Sequence, residues 1–281
     1  TGAIIAVALS VPGLPNGPGS TSHRPRWTAQ DCVDIYRHHV GEVFGRSGWQ
    51  AVPGASLVKE KYDHAPLDHL MEHYYGDTLL SQAVVDVVVP AYDLAGNDVM
   101  LFDSAAAAAD PTLDLPMRVV VRGATAAPTY FEPQEVGPPL ALEEHLLVDG
   151  GLFANNPGIC GFMQAQRRHL GADIVMLSLG TGSGARDMHM AEVKGWGLAH
   201  WARPLFNLVL DSVSQATDHY LRSLLGPQRY FRLSPELSAH GCTHRLDDAS
   251  DDNVQALAAA AAGLLVSSSA ALDDLCETLM G

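Results

Sequence analysis

Basic residues are scarce in this chain of 281 residues: 17 Lys and Arg stand against 32 Asp and Glu, which gives a formal net charge of −15. So acidic a protein repels the phosphates of nucleic acids and gains no attraction from anionic lipid. Long apolar runs are lacking too, because the longest one, residues 257–266, falls well short of the roughly 20 residues of a membrane-spanning helix. We therefore expect a soluble protein, cytoplasmic or secreted, with no nucleic-acid partner and no transmembrane segment.

Cysteines are also few. The 4 cysteines include no C-x-x-C pair, and a chain of this length needs no disulfide framework. Their spacing favours isolated thiols over a set of bridges. Hydrophobic residues make up 47% of the sequence, which is enough for a substantial core. No repeat and no linker divides the chain, so we predict one domain over residues 1–281.

Short apolar runs alternate with amphipathic stretches, most regularly in the second half of the chain. The run at residues 2–9 is compatible with either a buried helix or a buried strand. Buried strands that alternate with helices are typical of an α/β fold, so we expect a mostly parallel central sheet with helices on both faces. The predicted strands are residues 86–94 and 98–102, which form a hairpin, and residues 146–148, 174–179 and 229–233. The predicted helices are residues 28–44, 66–76, 157–170 and 196–225, followed by two more at the end of the chain.

Two motifs suggest cofactor chemistry, but their surroundings argue against it. The segment from His69 to His73 has the H-x-x-E-H pattern of some zinc proteases, yet no third ligand can be named and the helix ends directly afterwards. Residues 180–185 match G-x-G-x-x-A after a strand. A dinucleotide site would need a helix to begin there and an acidic residue at the end of a second strand, and the sequence offers neither. We predict no metal and no cofactor.

A carboxylate at the end of an apolar strand is the best candidate for a functional group. Asp149 follows residues 146–148 and precedes Gly150 and Gly151. Asp-Gly is a common turn dipeptide, but in an open α/β sheet the carboxyl end of a strand is also the edge where ligands bind. The two glycines would let a neighbouring backbone approach closely. From these residues alone, no partner nucleophile can be named.

Several segments, in the same order along the chain, carry a resemblance to a known family. They are residues 61–102, 124–131, 147–157, 177–182 and 196–220. The second contains A-A-P-T-Y-F, the third contains Asp-Gly-Gly and the fourth is L-S-L-G-T-G. Together they resemble the patatin-like phospholipases, in particular bacterial members, over nearly the whole chain. The resemblance implies a patatin-like α/β domain that hydrolyses lipid acyl esters in the manner of a phospholipase A.

The resemblance also implies a mechanism and its residues. Patatin-like enzymes use a Ser-Asp pair without histidine or metal, and the match makes Asp149 the general base, with Gly150 and Gly151 allowing its approach. Thr1 and Gly2 match the end of the family's nucleophile elbow, G-x-S-x-G, so the nucleophilic serine is expected immediately before Thr1. The oxyanion loop and the strand that leads into the elbow would lie ahead of it. We therefore expect a domain truncated at its N-terminus and inactive by itself.

The resemblance implies a lipid or acyl-ester substrate as partner. It also allows peripheral contact with a membrane surface through apolar patches.

Two other functions stay open. Thr1 could itself be an N-terminal nucleophile with its own amine as base, in an amidohydrolase whose first strand contains Ile4, Ile5 and Val7. The chain could also be a non-catalytic lipid-binding module, which would explain the absent serine but not the intact Asp149 motif.

Overall fold

The computed structural model describes residues 1–13, 24–45, 61–182, 193–243 and 245–280. These residues divide into two units, Thr1–Gly151 (unit 1) and Leu152–Gly281 (unit 2). The four cysteines are unbridged in the structure. A single domain over residues 1–281 stays a prediction.

Unit 1 contains a four-stranded sheet in which every pair of neighbouring strands is antiparallel. Its strands are β1 (Val88–Asp93), β2 (Asp98–Asp103), β3 (Gln134–Val136) and β4 (His145–Asp149), in the order β2-β1-β4-β3. The mixed α/β class is confirmed, but the predicted mostly parallel sheet is wrong here. β1 and β2 form the predicted hairpin, which is antiparallel by its nature. β3 and β4 are joined by residues 137–144 alone, too few for the crossover that parallel strands need.

Short helices lie before the strands of this sheet and between them along the chain. They are α1 (Gly2–Ala8), α2 (Ala29–Asp34), α3 (Val40–Val43), α4 (Ala65–Tyr75), α5 (Ser104–Ala109) and α6 (Met117–Ala124), with a π-helical turn at Ile35–His39. α2 begins after Thr28, as predicted, because the side chains of Thr28 and Asp31 cap each other's backbone amides. The first apolar run is helical, so the strand over Ile4, Ile5 and Val7 that the N-terminal-nucleophile alternative requires is wrong.

α6 packs against β1, β3 and β4, and Gly123 sets its distance from β4. A Cβ atom at Gly123 would lie 2.8 Å from Cδ1 and 3.1 Å from Cβ of Leu147, closer than side chains normally approach. Leu147 is fully buried in the core of unit 1. The missing side chain at Gly123 therefore lets α6 lie close to β4, and the chain continues from α6 into the segment that contacts Asp149.

Unit 2 contains a parallel pair of strands, as predicted, and longer helices. The elements are β5 (Met176–Leu179), β6 (Tyr230–Leu233), α8 (Gly158–Arg168), α9 (Leu198–Leu225), α10 (Asp251–Ser267) and α11 (Ser269–Met280); the short α7 (Gly151–Ala154) precedes them. Asn156 is typical of an N-cap by residue type, but the N-cap of α8 is Pro157; Asn156 Oδ1 instead accepts a hydrogen bond from the amide of Gly158 at 3.1 Å. β5 is not covered on both faces, because Leu177 and Leu179 are 42% and 70% exposed.

No single helix among the described residues is long and apolar enough to cross a membrane. α10 and α11 reach the required length and hydropathy only as a pair, and they meet at a bend of 64°. The longest apolar tract of the sequence, residues 257–266, lies within α10.

Candidate functional site

Asp149 is the last residue of β4, and backbone contacts hold it in place. Its amide donates a hydrogen bond to the carbonyl oxygen of Ala126 at 3.0 Å. Its carboxylate oxygen Oδ1 accepts one from the amide of Gly151 at 2.7 Å. Across the sheet its partner is Ala91 of β1. The carboxylate therefore has a fixed position at the strand end, and Oδ2 has no hydrogen-bond donor among the described residues.

Gly150 lies directly against the backbone of β1. A Cβ atom at this position would be 2.1 Å from the carbonyl oxygen of Pro90, 2.4 Å from its carbonyl carbon and 3.0 Å from the amide nitrogen of Ala91. No side chain fits at such distances, so only glycine allows β4 to stay paired with β1 as far as Asp149. This is the close backbone approach for which the sequence suggested a glycine.

The amino group of Thr1 and the carboxylate of Asp149 lie close enough for each charge to shift the pKa of the other. Burial raises the pKa of Asp149, and this effect outweighs the amino group and the Gly151 amide, which both lower it. Burial lowers the pKa of the Thr1 amino group, although Asp149 opposes that shift. Thr1 as a whole residue is exposed, so the burial concerns its nitrogen. Both groups are harder to charge than they would be in water.

Two tyrosines hold α1 beside Asp149, and sequence reasoning missed both. Tyr36 Oη donates to the carbonyl oxygen of Thr1 at 3.3 Å, and Tyr75 Oη donates to that of Ile4 at 2.8 Å. Burial raises the pKa of both hydroxyls, which keeps them protonated and able to donate. Their acceptors lie 35 and 71 residues away in the sequence. The only available signal was general, since a buried tyrosine hydroxyl needs a partner.

The other candidate residues have less distinctive surroundings. Gly2 begins α1, and a Cβ atom there would meet no atom within 4 Å, so packing does not require a glycine. His69 and His73 lie on α4, but the described part of the chain holds no group of three or more His, Cys, Asp or Glu side chains that could bind a metal. Residues 180–182 leave β5 without forming a helix, and residues 183–185 of that motif lie outside the described residues.

The site can accept a proton. A carboxylate with a raised pKa is a stronger base than an aspartate in water, and it can take a proton from a hydroxyl within about 2.6–3.2 Å. Because the Gly151 amide occupies Oδ1, Oδ2 is the oxygen that would do so. α1 begins beside the carboxylate, and the amino-terminal end of a helix favours nearby negative charge. The start of α1 therefore stabilises the ionised carboxylate of Asp149, which is the form that acts as base, whereas burial destabilises it.

No protein-family model matches the chain. Curated relatives are nevertheless similar over most of its length. Patatin-like protein 4 of Arabidopsis thaliana is 26% identical over 263 residues, Probable inactive patatin-3-Kuras 1 of Solanum tuberosum is 27% identical over 275, and Patatin-T5 of Solanum tuberosum is 27% identical over 280. These alignments cover 84, 90 and 92% of the chain but only 64, 70 and 69% of the relatives. The chain thus has homologues in the patatin family, here from plants, and spans about two-thirds of their length.

Proposed function

We propose that the protein is a lipid acyl hydrolase of the patatin type, in which Asp149 is the general base for a serine joined to the nitrogen of Thr1. One observation carries the proposal: the Asp149 carboxylate, with its pKa raised by burial, lies near that nitrogen. The side chain of a residue linked to the Thr1 nitrogen would start close to Asp149. Homology to the patatins supports the reaction class, the hydrolysis of carboxylic esters.

The reaction would proceed in two halves. Asp149 Oδ2 accepts the proton of the serine hydroxyl while the serine oxygen attacks the acyl carbonyl, and the protonated Asp149 then gives that proton to the departing alcohol. In the second half, Asp149 takes a proton from water, the resulting hydroxide attacks the acyl-serine, and the proton returns to the serine oxygen. The Gly151 amide would hold Oδ1 in place throughout.

A residue linked to Thr1 would also make Asp149 a stronger base. The nitrogen of a peptide bond carries no charge, so the amino group that now lowers the pKa of Asp149 would be gone, while the burial that raises it would remain. Backbone amides of a glycine-rich loop, which the family resemblance implies, would bind the oxyanion. Each such donor typically contributes about 2.7–4 kcal/mol to lowering the barrier.

The test compares the chain alone with a form extended ahead of Thr1 by the glycine-rich loop, the strand and a Gly-x-Ser turn. Only the extended form should hydrolyse p-nitrophenyl butyrate. Asp149→Asn should lower its kcat by about 10²–10⁴-fold, the usual contribution of a general base. Asp98→Asn, an exposed aspartate at the start of β2, is the matched control and should keep full activity. Turnover by the chain alone that Asp149→Asn abolishes would show that the assigned nucleophile is wrong.

A second candidate is Thr1 as an N-terminal nucleophile, and one observation favours it. Because burial lowers the pKa of the Thr1 amino group, more of that group is free base at neutral pH. Its expected first strand is instead the helix α1. This function predicts turnover by the chain alone that Thr1→Ala removes and that extension blocks. No turnover by either form would favour the non-catalytic lipid-binding module, and one relative is indeed named a probable inactive patatin.

A further inference from the structure

Arg232, in the middle of β6, is a half-buried arginine that no carboxylate of the described chain binds. Its Nη1 donates a hydrogen bond to Ser178 Oγ at 2.8 Å, whereas its Nε and Nη2 have no acceptor among the described residues. Other arginines of the described chain do bind an aspartate; they are Arg118, Arg122, Arg222, Arg229 and Arg245. The sequence holds 32 Asp and Glu, so acidic partners are not scarce. An arginine partly removed from water without a counter-charge is costly, and an anion from outside the chain would stabilise it.

Gly180 brings a second hydrogen-bond donor next to Arg232. A Cβ atom at Gly180 would lie 2.7 Å from Arg232 Nη2 and 2.6 Å from Ser234 Oγ, so both groups occupy the space that a side chain would take. Like Nη2, the hydroxyl of Ser234 has no hydrogen-bond partner among the residues that the structure describes. Because position 180 has no side chain, the guanidinium and the hydroxyl can lie close together, and each has a hydrogen to donate.

Ser178 holds the guanidinium in place and is itself bound to Asn156. It lies opposite Arg232 in the register of β5 and β6, and its hydroxyl donates to Asn156 Oδ1 at 3.5 Å while it accepts from Arg232. Asn156 is 2% exposed, and its Nδ2 is buried without an acceptor in the described part of the chain. Buried polar groups are normally hydrogen-bonded. Two side chains that contact the Ser178 hydroxyl therefore carry donors that the described residues leave unsatisfied.

These polar groups lie where a parallel pair of strands ends. β5 and β6 run parallel, and residues 178–180 and 232–234 are at their carboxyl ends. Tyr230, at the start of β6, packs instead in an apolar cluster with Phe162 and Leu221. That cluster covers the beginning of the strand pair, and the polar groups occupy its end. In α/β proteins the carboxyl ends of parallel strands form the edge where ligands bind.

We propose that the carboxyl end of the β5–β6 pair binds the phosphate group of a small ligand through Arg232 and Ser234. The free edge of the guanidinium, Nε and Nη2, matches two oxygens of an oxyanion. The Ser234 hydroxyl beside it can donate to a third oxygen, which a phosphate group has and a carboxylate lacks. The net charge of −15 repels anions in general, so phosphate bound by this chain must be held by specific donors. Every residue involved belongs to unit 2, and the proposal does not rest on the proposed function.

The experiment is isothermal titration calorimetry of the 281-residue chain with inorganic phosphate and, separately, with glycerol 2-phosphate. At least one of the two should bind: binding of the ester alone would assign the site to phosphate esters, and binding of inorganic phosphate alone to the free ion. Arg232→Gln should bind the same probe about tenfold more weakly or less, because it loses the charged donors. Arg229→Gln is the matched control. It removes the same charge from an exposed arginine that binds Asp173 at 2.8 Å, and it should bind as the parent does.

A second variant and a second readout make the result decisive. Ser234→Ala should also weaken binding, because the hydroxyl that donates to the third oxygen is gone. In thermal unfolding followed by circular dichroism, phosphate should raise the midpoint of the parent and of Arg229→Gln, but not that of Arg232→Gln. Dissociation constants above about 10 mM for both probes would overturn the proposal. So would parent-like binding by either variant, and Ser234→Ala keeps this test available if Arg232→Gln does not fold. Acetate bound as tightly as phosphate would refute the assignment to a phosphate group.

Discussion

The tightest contact beside the candidate base gives a prediction with a defined size. In Gly150→Ala, the new Cβ would lie 2.1 Å from the Pro90 carbonyl oxygen, whereas real Cβ contacts essentially never fall below 3.0 Å. β4 would have to move away from β1 by about 1 Å, and both contacting atoms at Pro90 belong to the backbone, which cannot rotate away. We expect a loss of about 3 kcal/mol in the free energy of unfolding, the upper end of the usual cost of overpacking.

Urea unfolding of the parent and of two alanine variants measures this loss. Gly161→Ala is the control, because Gly161 lies inside α8 with no atom within 4 Å of an added Cβ. Alanine there should stabilise the chain by about 0.5–1 kcal/mol, because glycine is a poor helix former. In the extended form, Gly150→Ala should also lower kcat, since Asp149 moves with β4. If Gly150→Ala unfolds within about 0.5 kcal/mol of the parent, the close approach of β4 to β1 is not as described.

Two further predictions concern the groups around α1. Asp149→Asn should stabilise the chain at pH 7. Because burial raises the pKa of Asp149, the folded state holds its proton more tightly than the unfolded chain, and the parent loses stability as pH rises from about 4 through the folded-state pKa. The gain should shrink to nothing near pH 3 in thermal unfolding, and a gain that is constant with pH would contradict this reasoning. Tyr75→Phe should cost about 1 kcal/mol by losing the buried bond to Ile4, whereas Tyr92→Phe, which loses an exposed bond to Asn97, should cost clearly less. Equal losses in urea unfolding would show that the bond to Ile4 does not anchor α1.

Local signals predicted most elements of the fold and the antiparallel hairpin of β1 and β2, but not the direction in which β4 pairs with β1. The hairpin of β1 and β2 follows from a turn in which Asn97 adopts a positive φ of 52°, a conformation that asparagine tolerates. The start of α2 follows from the cap formed by Thr28 and Asp31. By contrast, the apolar residues of β4 have the same pattern whether its partner runs parallel or antiparallel. Direction is decided by contacts with β1, more than 50 residues earlier in the chain, and no local pattern contains that information.

Some residues of the candidate site could also be predicted from the sequence, and others could not. Asp149 and Gly150 could be selected from the sequence, because a carboxylate at a strand end and a glycine behind it have local physical reasons. The proximity of Thr1 to Asp149 was expected only from the family resemblance, since almost the whole of unit 1 separates the two residues. The hydroxyls of Tyr36 and Tyr75 gave no sequence signal of where they bond, because each bonds to a backbone carbonyl, which every residue has.

The strongest physical argument for a functional Asp149 is that folding does not need its charge. The contacts that fix the residue are its amide bond to Ala126 and the bond from Gly151 to Oδ1, and asparagine could make both. The carboxylate adds only a half-buried ionisable group with a raised pKa, which lowers stability at neutral pH. A neutral side chain of the same shape would therefore fold better at this position. In the proposed function, a base that is costly to fold, yet rigidly held beside the position expected for the serine hydroxyl, is what proton transfer requires.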